Sequence, residues 1–235
     1  MLGKIGIAEG WRCLDLGCGP RGITDLLSAR VGASGHVTGL DTDPIFVEHG
    51  RRHAAANTDF VRGDAYDPAL PAGSFDLVHL RFVASTAGDP QRLLRTAIRL
   101  AKPGGIVALQ EPDMATLNCY PPHAAWDALR AALIGAFAAV GSNISLGREL
   151  FALARAAGLG EVQYRPFLIG ARSGEPIVDY LPATVESLRG TVLGRELMTE
   201  SALDAALAAC RAHLADPGTV FTMYTVAQVW GRAPR

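Results

Sequence analysis

Residues Gly17-Cys18-Gly19-Pro20-Arg21-Gly22 place three glycines in a G-x-G-x-x-G pattern. A loop without Cβ atoms at these points lets backbone N–H groups approach a bound ligand closely. Alone, the pattern fits a dinucleotide site, a nucleoside site or a plain tight turn. Two neighbours narrow it. Asp15 precedes the first glycine by two residues, where a dinucleotide-binding strand usually carries an apolar side chain, and Pro20 removes a backbone donor that a pyrophosphate could use. Asp41, in Gly39-Leu40-Asp41-Thr42, stands where an acid can accept hydrogen bonds from both ribose hydroxyls and disfavour a phosphorylated ribose. Asp64, in Arg62-Gly63-Asp64-Ala65, can accept from an adenine amine while the next backbone N–H donates to the ring.

The elements that must hold these residues alternate between strand and helix patterns. Apolar runs predict strands over residues 11–16, 35–40, 59–62, 75–80 and 106–110. Helical spacing fills residues 21–31, 44–56 and 90–100, with Asp43 as N-cap and Pro44 in the first position of the second helix. Pro103-Gly104-Gly105 ends the third. Strands separated by helices imply right-handed crossovers and a parallel, doubly wound α/β sheet. After residue 111 the rhythm changes. Helices are expected over residues 124–140, 146–157 and 201–214, and strands over 162–169 and 219–230, so residues 173–217 read as an insertion between the last two strands. No repeat or low-complexity linker divides the chain. The reading is one domain over residues 1–235, with a ligand-binding half to 113 and a substrate-side half from 114.

Composition excludes several classes. Lysine plus arginine number 22 and aspartate plus glutamate 23, so no basic excess points to nucleic acid as a partner. Hydrophobic residues make up 49% and the mean hydropathy is +0.18, which predicts a packed interior. No apolar run approaches the ~20 residues of a membrane-spanning helix, and residues 1–9 do not read as a secretory signal. Cys13, Cys18, Cys119 and Cys210 show no C-x-x-C spacing and read as reduced thiols in a cytoplasmic protein. His49 and His53 are four apart but belong to no metal-ligand cluster, so no metal site is expected.

Taken in order, Leu14-Asp15-Leu16-Gly17-Cys18-Gly19, Gly39-Leu40-Asp41, Gly63-Asp64-Ala65, Phe75-Asp76-Leu77-Val78 and Lys102-Pro103-Gly104-Gly105-Ile106 resemble the class I S-adenosylmethionine-dependent methyltransferases, small-molecule type. The resemblance implies a Rossmann-like seven-stranded sheet with the last strand antiparallel, helical insertions forming a lid, and S-adenosyl-L-methionine bound at the strands' carboxyl ends. It implies that Gly17 and Gly19 line the methionine portion, with Cys18 between them, and that Asp15 helps place the amino group through a local hydrogen-bond network. Asp41 then holds the ribose, Asp64 and Ala65 the adenine, and Thr42 an adenine face or edge. Arg81, just past the fourth strand, is placed to contact cofactor or substrate.

Methyl transfer from a sulfonium needs alignment more than proton transfer, so a general base is optional. Candidates for the acceptor side are His79, Glu111, Tyr120 and His123 as catalytic residues, with Asp113 nearby and Tyr180 as a lid residue. His79 also reads as a satisfied core histidine, and Glu111-Pro112-Asp113 as a cap. Where many relatives carry a histidine after the fourth strand, this chain has Thr86. Only ten residues precede the first strand, where relatives carry a longer helical segment; either the late insertion closes the site, or the chain is trimmed, or a partner such as a second copy in a homodimer supplies the lid. The reading is methyl transfer to a small molecule, a specialised metabolite. The alternatives are a cofactor-binding relative that catalyses another reaction such as cyclisation or serves as a non-catalytic subunit, and a nicotinamide-dependent oxidoreductase. The latter lacks a suitably placed lysine, since only Lys4 and Lys102 are present.

Overall fold

A strand covered by helices on both faces is buried and mostly apolar at successive positions, and the central strands here are, apart from Asp15 and His79. In a computed structural model describing residues 1–235, Cys13 to Leu16 and Leu77 to Leu80 are buried without interruption. The strands are β1 (Arg12–Leu16), β2 (His36–Asp41), β3 (Thr58–Arg62), β4 (Phe75–Arg81), β5 (Ala101–Asp113), β6 (Asn118–Tyr120), β7 (Gly160–Phe167), β8 (Gly170–Arg172), β9 (Val220–Thr222) and β10 (Thr225–Arg232). Seven form one sheet in the order β3-β2-β1-β4-β5-β10-β7. β1 pairs parallel with β2 and β4, β2 with β3, and β4 with β5, while β10 runs antiparallel as expected. The strand order reverses between β1 and β4, so the crevice at their carboxyl ends is where a doubly wound sheet binds ligands.

The helices are α1 (Leu2–Ile5), α2 (Ile23–Val31), α3 (Pro44–Arg52), α4 (Pro90–Leu100), α5 (Ala124–Ala138), α6 (Leu150–Ala156), α7 (Tyr180–Ser187), α8 (Arg189–Gly194) and α9 (Glu200–Ala215). The expected cap of α3 is present: Asp43 accepts from the Ile45 N–H at 2.7 Å, with Pro44 following. Asp89 and Pro90 open α4 in the same way, Asp89 accepting from the Arg92 N–H at 2.9 Å.

The chain divides into two compact units. One comprises Met1–Glu111, Arg148–Arg165 and Ala227–Arg235 and carries the body of the large sheet; Cys13, Leu27, Val31, Val37 and Leu77 are at its core. The other comprises Pro112–Gly147 and Pro166–Val226. Its core joins Trp126, Leu129 and Leu133 of α5 to Leu181 and Val185 of α7 and Leu203 and Leu207 of α9.

Some boundaries differ from expectation. Residues 219–230 are two strands, because β9 leaves the β10 line at Met223-Tyr224 and pairs antiparallel between β6 and β8 in a small second sheet. Strands of three residues carry too little alternation to be read in advance. β5 begins at Ala101, not Ile106; a register irregularity between Phe75 and Leu77 lets Pro103-Gly104-Gly105 stay in the strand. α3 stops at Arg52, four residues early, as the His53 ring turns back to the His49 carbonyl at 2.8 Å. No helix is long and apolar enough to cross a membrane.

Candidate functional site

As the chain leaves β1 the Gly17 and Cys18 N–H groups donate to the Leu40 carbonyl, at 2.8 and 3.0 Å. Gly17 has φ 78°, and a Cβ there would lie 2.4 Å from Cγ2 of Val83, so only glycine fits. The Gly19 N–H donates to Oδ2 of Asp41 at 2.8 Å, and the Asp43 N–H donates to Oδ1 at 3.0 Å. Asp41 therefore joins the glycine loop to the start of α3. Two carboxylate oxygens offer about four acceptor sites, so hydroxyl groups can still be received beside these two bonds. After β3, Oδ1 of Asp64 accepts from the Tyr66 N–H at 2.8 Å in a local turn. These groups surround a cavity of about 350 Å³. Gly17, Gly19, Leu40, Asp41 and Thr42 line one part of it, and Gly63, Asp64, Ala65 and Tyr66 another. Arg81, Phe82, Val83, Thr86 and Ala87 form the remaining wall.

Asp15 is not in that wall. It is 2% exposed, accepting from Oγ1 of Thr24 at 2.8 Å and facing Nδ1 of His79 at 2.9 Å. His79 is fully buried, and its Nε2 lies 3.0 Å from the Gln110 amide nitrogen, while the Gln110 carbonyl accepts from Gln228 at 3.2 Å. With Gln110 as donor, Nε2 accepts and Nδ1–H donates to Asp15. Both ring nitrogens are thus taken, and His79 occupies the core position rather than a catalytic one. The Cys18 side chain also points away from the cavity, into a cluster with Val47 and Phe60. Burial, with the nearby charges of Asp15 and Asp41, pushes its thiol up to about 12.

Glu111 is fully buried. Its Oε1 accepts from the N–H groups of Val83 at 3.1 Å and Ala84 at 2.8 Å, and Oε2 from that of Ser85 at 3.1 Å. Burial raises its pKa, and the backbone donors and the neighbouring Ser85 side chain pull it back only in part. Its two oxygens are thus committed to three backbone donors. The other candidates lie in the second unit. His123 caps α5, its Nδ1 accepting from the Ala125 N–H at 3.2 Å, and its ring stacks on His213 with centroids 4.6 Å apart. Tyr120 is 69% exposed at the end of β6, before a cis peptide to Pro121. Tyr180 lies against Tyr224, ring centroids 5.9 Å apart, and Asp113 is buried. No three His, Cys, Asp or Glu side chains are grouped to hold a metal ion.

Tyr66, Phe82 and Val83 line the cavity without having been anticipated. Tyr66 stands two residues past Asp64 and was within reach of the motif. Phe82 has φ 58°, the left-handed region, and no local pattern announces such a turn in an aromatic residue.

Residues 14–109 match a family described as methyltransferase domain. A demethylmenaquinone methyltransferase of Staphylococcus aureus (strain MRSA252) is 35% identical over 122 residues, covering 51% of this chain and 51% of that protein. The chain spans about half the length of the curated relatives it matches. Among solved structures, the YcgJ protein of Bacillus subtilis aligns with a TM-score of 0.64 at 17% identity, over 100% of this chain and 97% of that one. Haemonchus contortus phosphoethanolamine N-methyltransferase 2, solved with phosphomonomethylethanolamine and S-adenosylhomocysteine, aligns with a TM-score of 0.59 at 17% identity, over 100% and 51%. At these identities the structural likeness establishes the fold.

Proposed function

We propose, from the match of residues 14–109 to a methyltransferase domain and from the motifs that resemble the class I S-adenosylmethionine-dependent methyltransferases, that this chain transfers a methyl group from S-adenosylmethionine to a small-molecule acceptor. The observation that carries the reading is the position of Asp41, whose carboxylate joins the glycine loop to the end of β2 on the wall of the cavity. The residues present fit the cofactor. The cavity falls in the usual range for small-molecule sites. Asp41 is suited to the ribose hydroxyls, Asp64 and the Ala65 N–H to the adenine edge, and Leu40 and Thr42 to its faces. Gly17 and Gly19 suit the methionine portion, where no side chain stands in the way. Asp15 acts behind the wall, holding the loop through Thr24 and His79.

The bound cofactor supplies a methyl group on a positively charged sulfur, a leaving group already activated. The chain's residues bind and align. Asp41 and Asp64 bring negative charge to a cleft that receives a cation. Orientation alone is worth several kcal/mol of barrier, on the order of 7–11 for well-aligned pairs. Of the three wall hydroxyls, those of Thr86 and Tyr66 are not placed as bases. Thr86 donates back to the carbonyls of Phe82 and Val83, at 3.1 and 3.2 Å, and Tyr66 donates to that of Ala87. A specialised metabolite as acceptor and a homodimer are part of this proposal. Four free, buried cysteines suit a reducing, cytoplasmic setting.

Calorimetric titration with S-adenosylhomocysteine tests the site. Asp41→Ala removes an acceptor whose charged hydrogen bonds are worth about 1.5–3 kcal/mol each, so affinity should fall at least roughly tenfold; equal affinity would refute the placement. Incubation with methyl-labelled cofactor and a panel of phenols, amines and quinols tests the reaction. Label in a product supports transfer, and tight binding with no label moved across the panel favours the non-methylating alternative.

A further inference from the structure

The segment between β4 and α4, residues 82–89, forms one wall of the cavity and does not follow from its own backbone propensities. Phe82 starts it in the left-handed region at φ 58°, a conformation that costs an aromatic residue energy unless its surroundings enforce it. The Phe82 N–H still donates to the Gln110 carbonyl at 2.9 Å. The next three N–H groups have turned out of the strand, and all three converge on the Glu111 carboxylate. Three consecutive backbone donors around one anion make a nest, and here the anion is the protein's own side chain. At the far end, the Tyr66 hydroxyl donates to the Ala87 carbonyl and accepts from the Asp89 N–H at 2.8 Å. Between the two clamps, Val83 sits against Gly17 with no space for a Cβ. The wall's position is therefore relayed to the glycine loop.

We propose that Glu111 is a positioning residue that sets cofactor affinity and alignment by holding residues 82–87 in place as the cavity wall. The proposal rests on the methyl-transfer reading for its ligand, but not for the loop geometry. A carboxylate is required because both oxygens accept. In Glu111→Gln one oxygen is replaced by an amide NH₂, which faces an N–H donor and cannot receive it.

The test uses the full chain and three variants: Glu111→Gln, Tyr66→Phe and Leu129→Ala. The last is a control, destabilised at a site in the second unit. Circular dichroism sets a temperature at which each is folded. Amide hydrogen exchange should show residues 83–85 losing protection in Glu111→Gln while β1 and β4 keep theirs. Affinity for S-adenosylhomocysteine should weaken roughly tenfold in Glu111→Gln, and measurably in Tyr66→Phe, given how steeply alignment depends on small displacements. Leu129→Ala should bind as the wild type does, which separates positioning from general loss of stability. Unchanged protection at residues 83–85, or wild-type affinity in Glu111→Gln, overturns the proposal. Should Glu111→Gln fail to fold, Tyr66→Phe decides through affinity and through protection at Asp89, whose N–H the Tyr66 hydroxyl receives. If the wild type binds no S-adenosylhomocysteine, the methyl-transfer reading fails, and the exchange data alone decide whether Glu111 holds the wall.

Discussion

Four acids near the cleft are held in different ways. Asp41 and Asp64 keep acceptor capacity on the cavity wall, whereas Asp15 and Glu111 are spent inside the protein on Thr24 and His79 and on three backbone amides. Sequence reading placed Asp15 correctly in its motif but could not see that its carboxylate turns inward, because Thr24 and His79 approach it only once β1, α2 and β4 pack. Glu111 gives a pH prediction. Burial holds its pKa above the ordinary 4.5, so the folded state binds the proton more tightly than the unfolded chain. By linkage, the contribution of Glu111 to stability falls as pH rises from 4.5 through the folded value and is flat above it. Glu111→Gln lacks this slope. The melting temperature of the wild type minus that of the variant should therefore decrease with rising pH over that window, as thermal unfolding across pH 4–7 would register. A difference that grows with pH would place the folded value below 4.5 and contradict the burial argument.

Among the elements, those with both a periodic interior and a chemical boundary were legible. Asp43-Pro44 and Asp89-Pro90 mark helix starts because an acceptor side chain followed by a residue with no N–H satisfies orphan donors without wasting one. Asp89→Ala should cost about 1 kcal/mol, measured as a lowered urea midpoint with unchanged slope; an unchanged midpoint would deny the cap any energetic weight. The elements that escaped were short or irregular. β6, β8 and β9 have three residues each, and their pairing is decided by long-range neighbours. Residues 82–89 escaped for a related reason: their course follows from Glu111 and Tyr66, which lie outside the segment.

For the molecule as a whole, the two units have separate cores, and the residues lining the cavity all belong to the first. Leu129 on α5 is fully buried in the second. Leu129→Ala should therefore lower stability by about 2–5 kcal/mol while leaving S-adenosylhomocysteine affinity unchanged at a temperature where the variant is folded. A large loss of affinity in the folded variant would show that the second core supports the cofactor cleft. The near-neutral charge, 22 basic against 23 acidic residues, takes on a local meaning here: two of those acids line one small cavity.

Local chemistry written in contiguous residues determined the doubly wound order, the glycine loop, Asp41 at the end of its strand and Asp64 after the next. Each depends on a spacing of a few residues or on a period of 2 or 3.6, and such information survives in one dimension. Tertiary structure alone decided which polar groups face the cavity and which face each other. His79 became a core partner of Asp15, Cys18 turned into an apolar cluster, His123 became a helix cap and Glu111 a loop brace. The physical reason is that a polar side chain's role is set by whichever donors and acceptors packing brings within about 3 Å, and those come from residues tens of positions away.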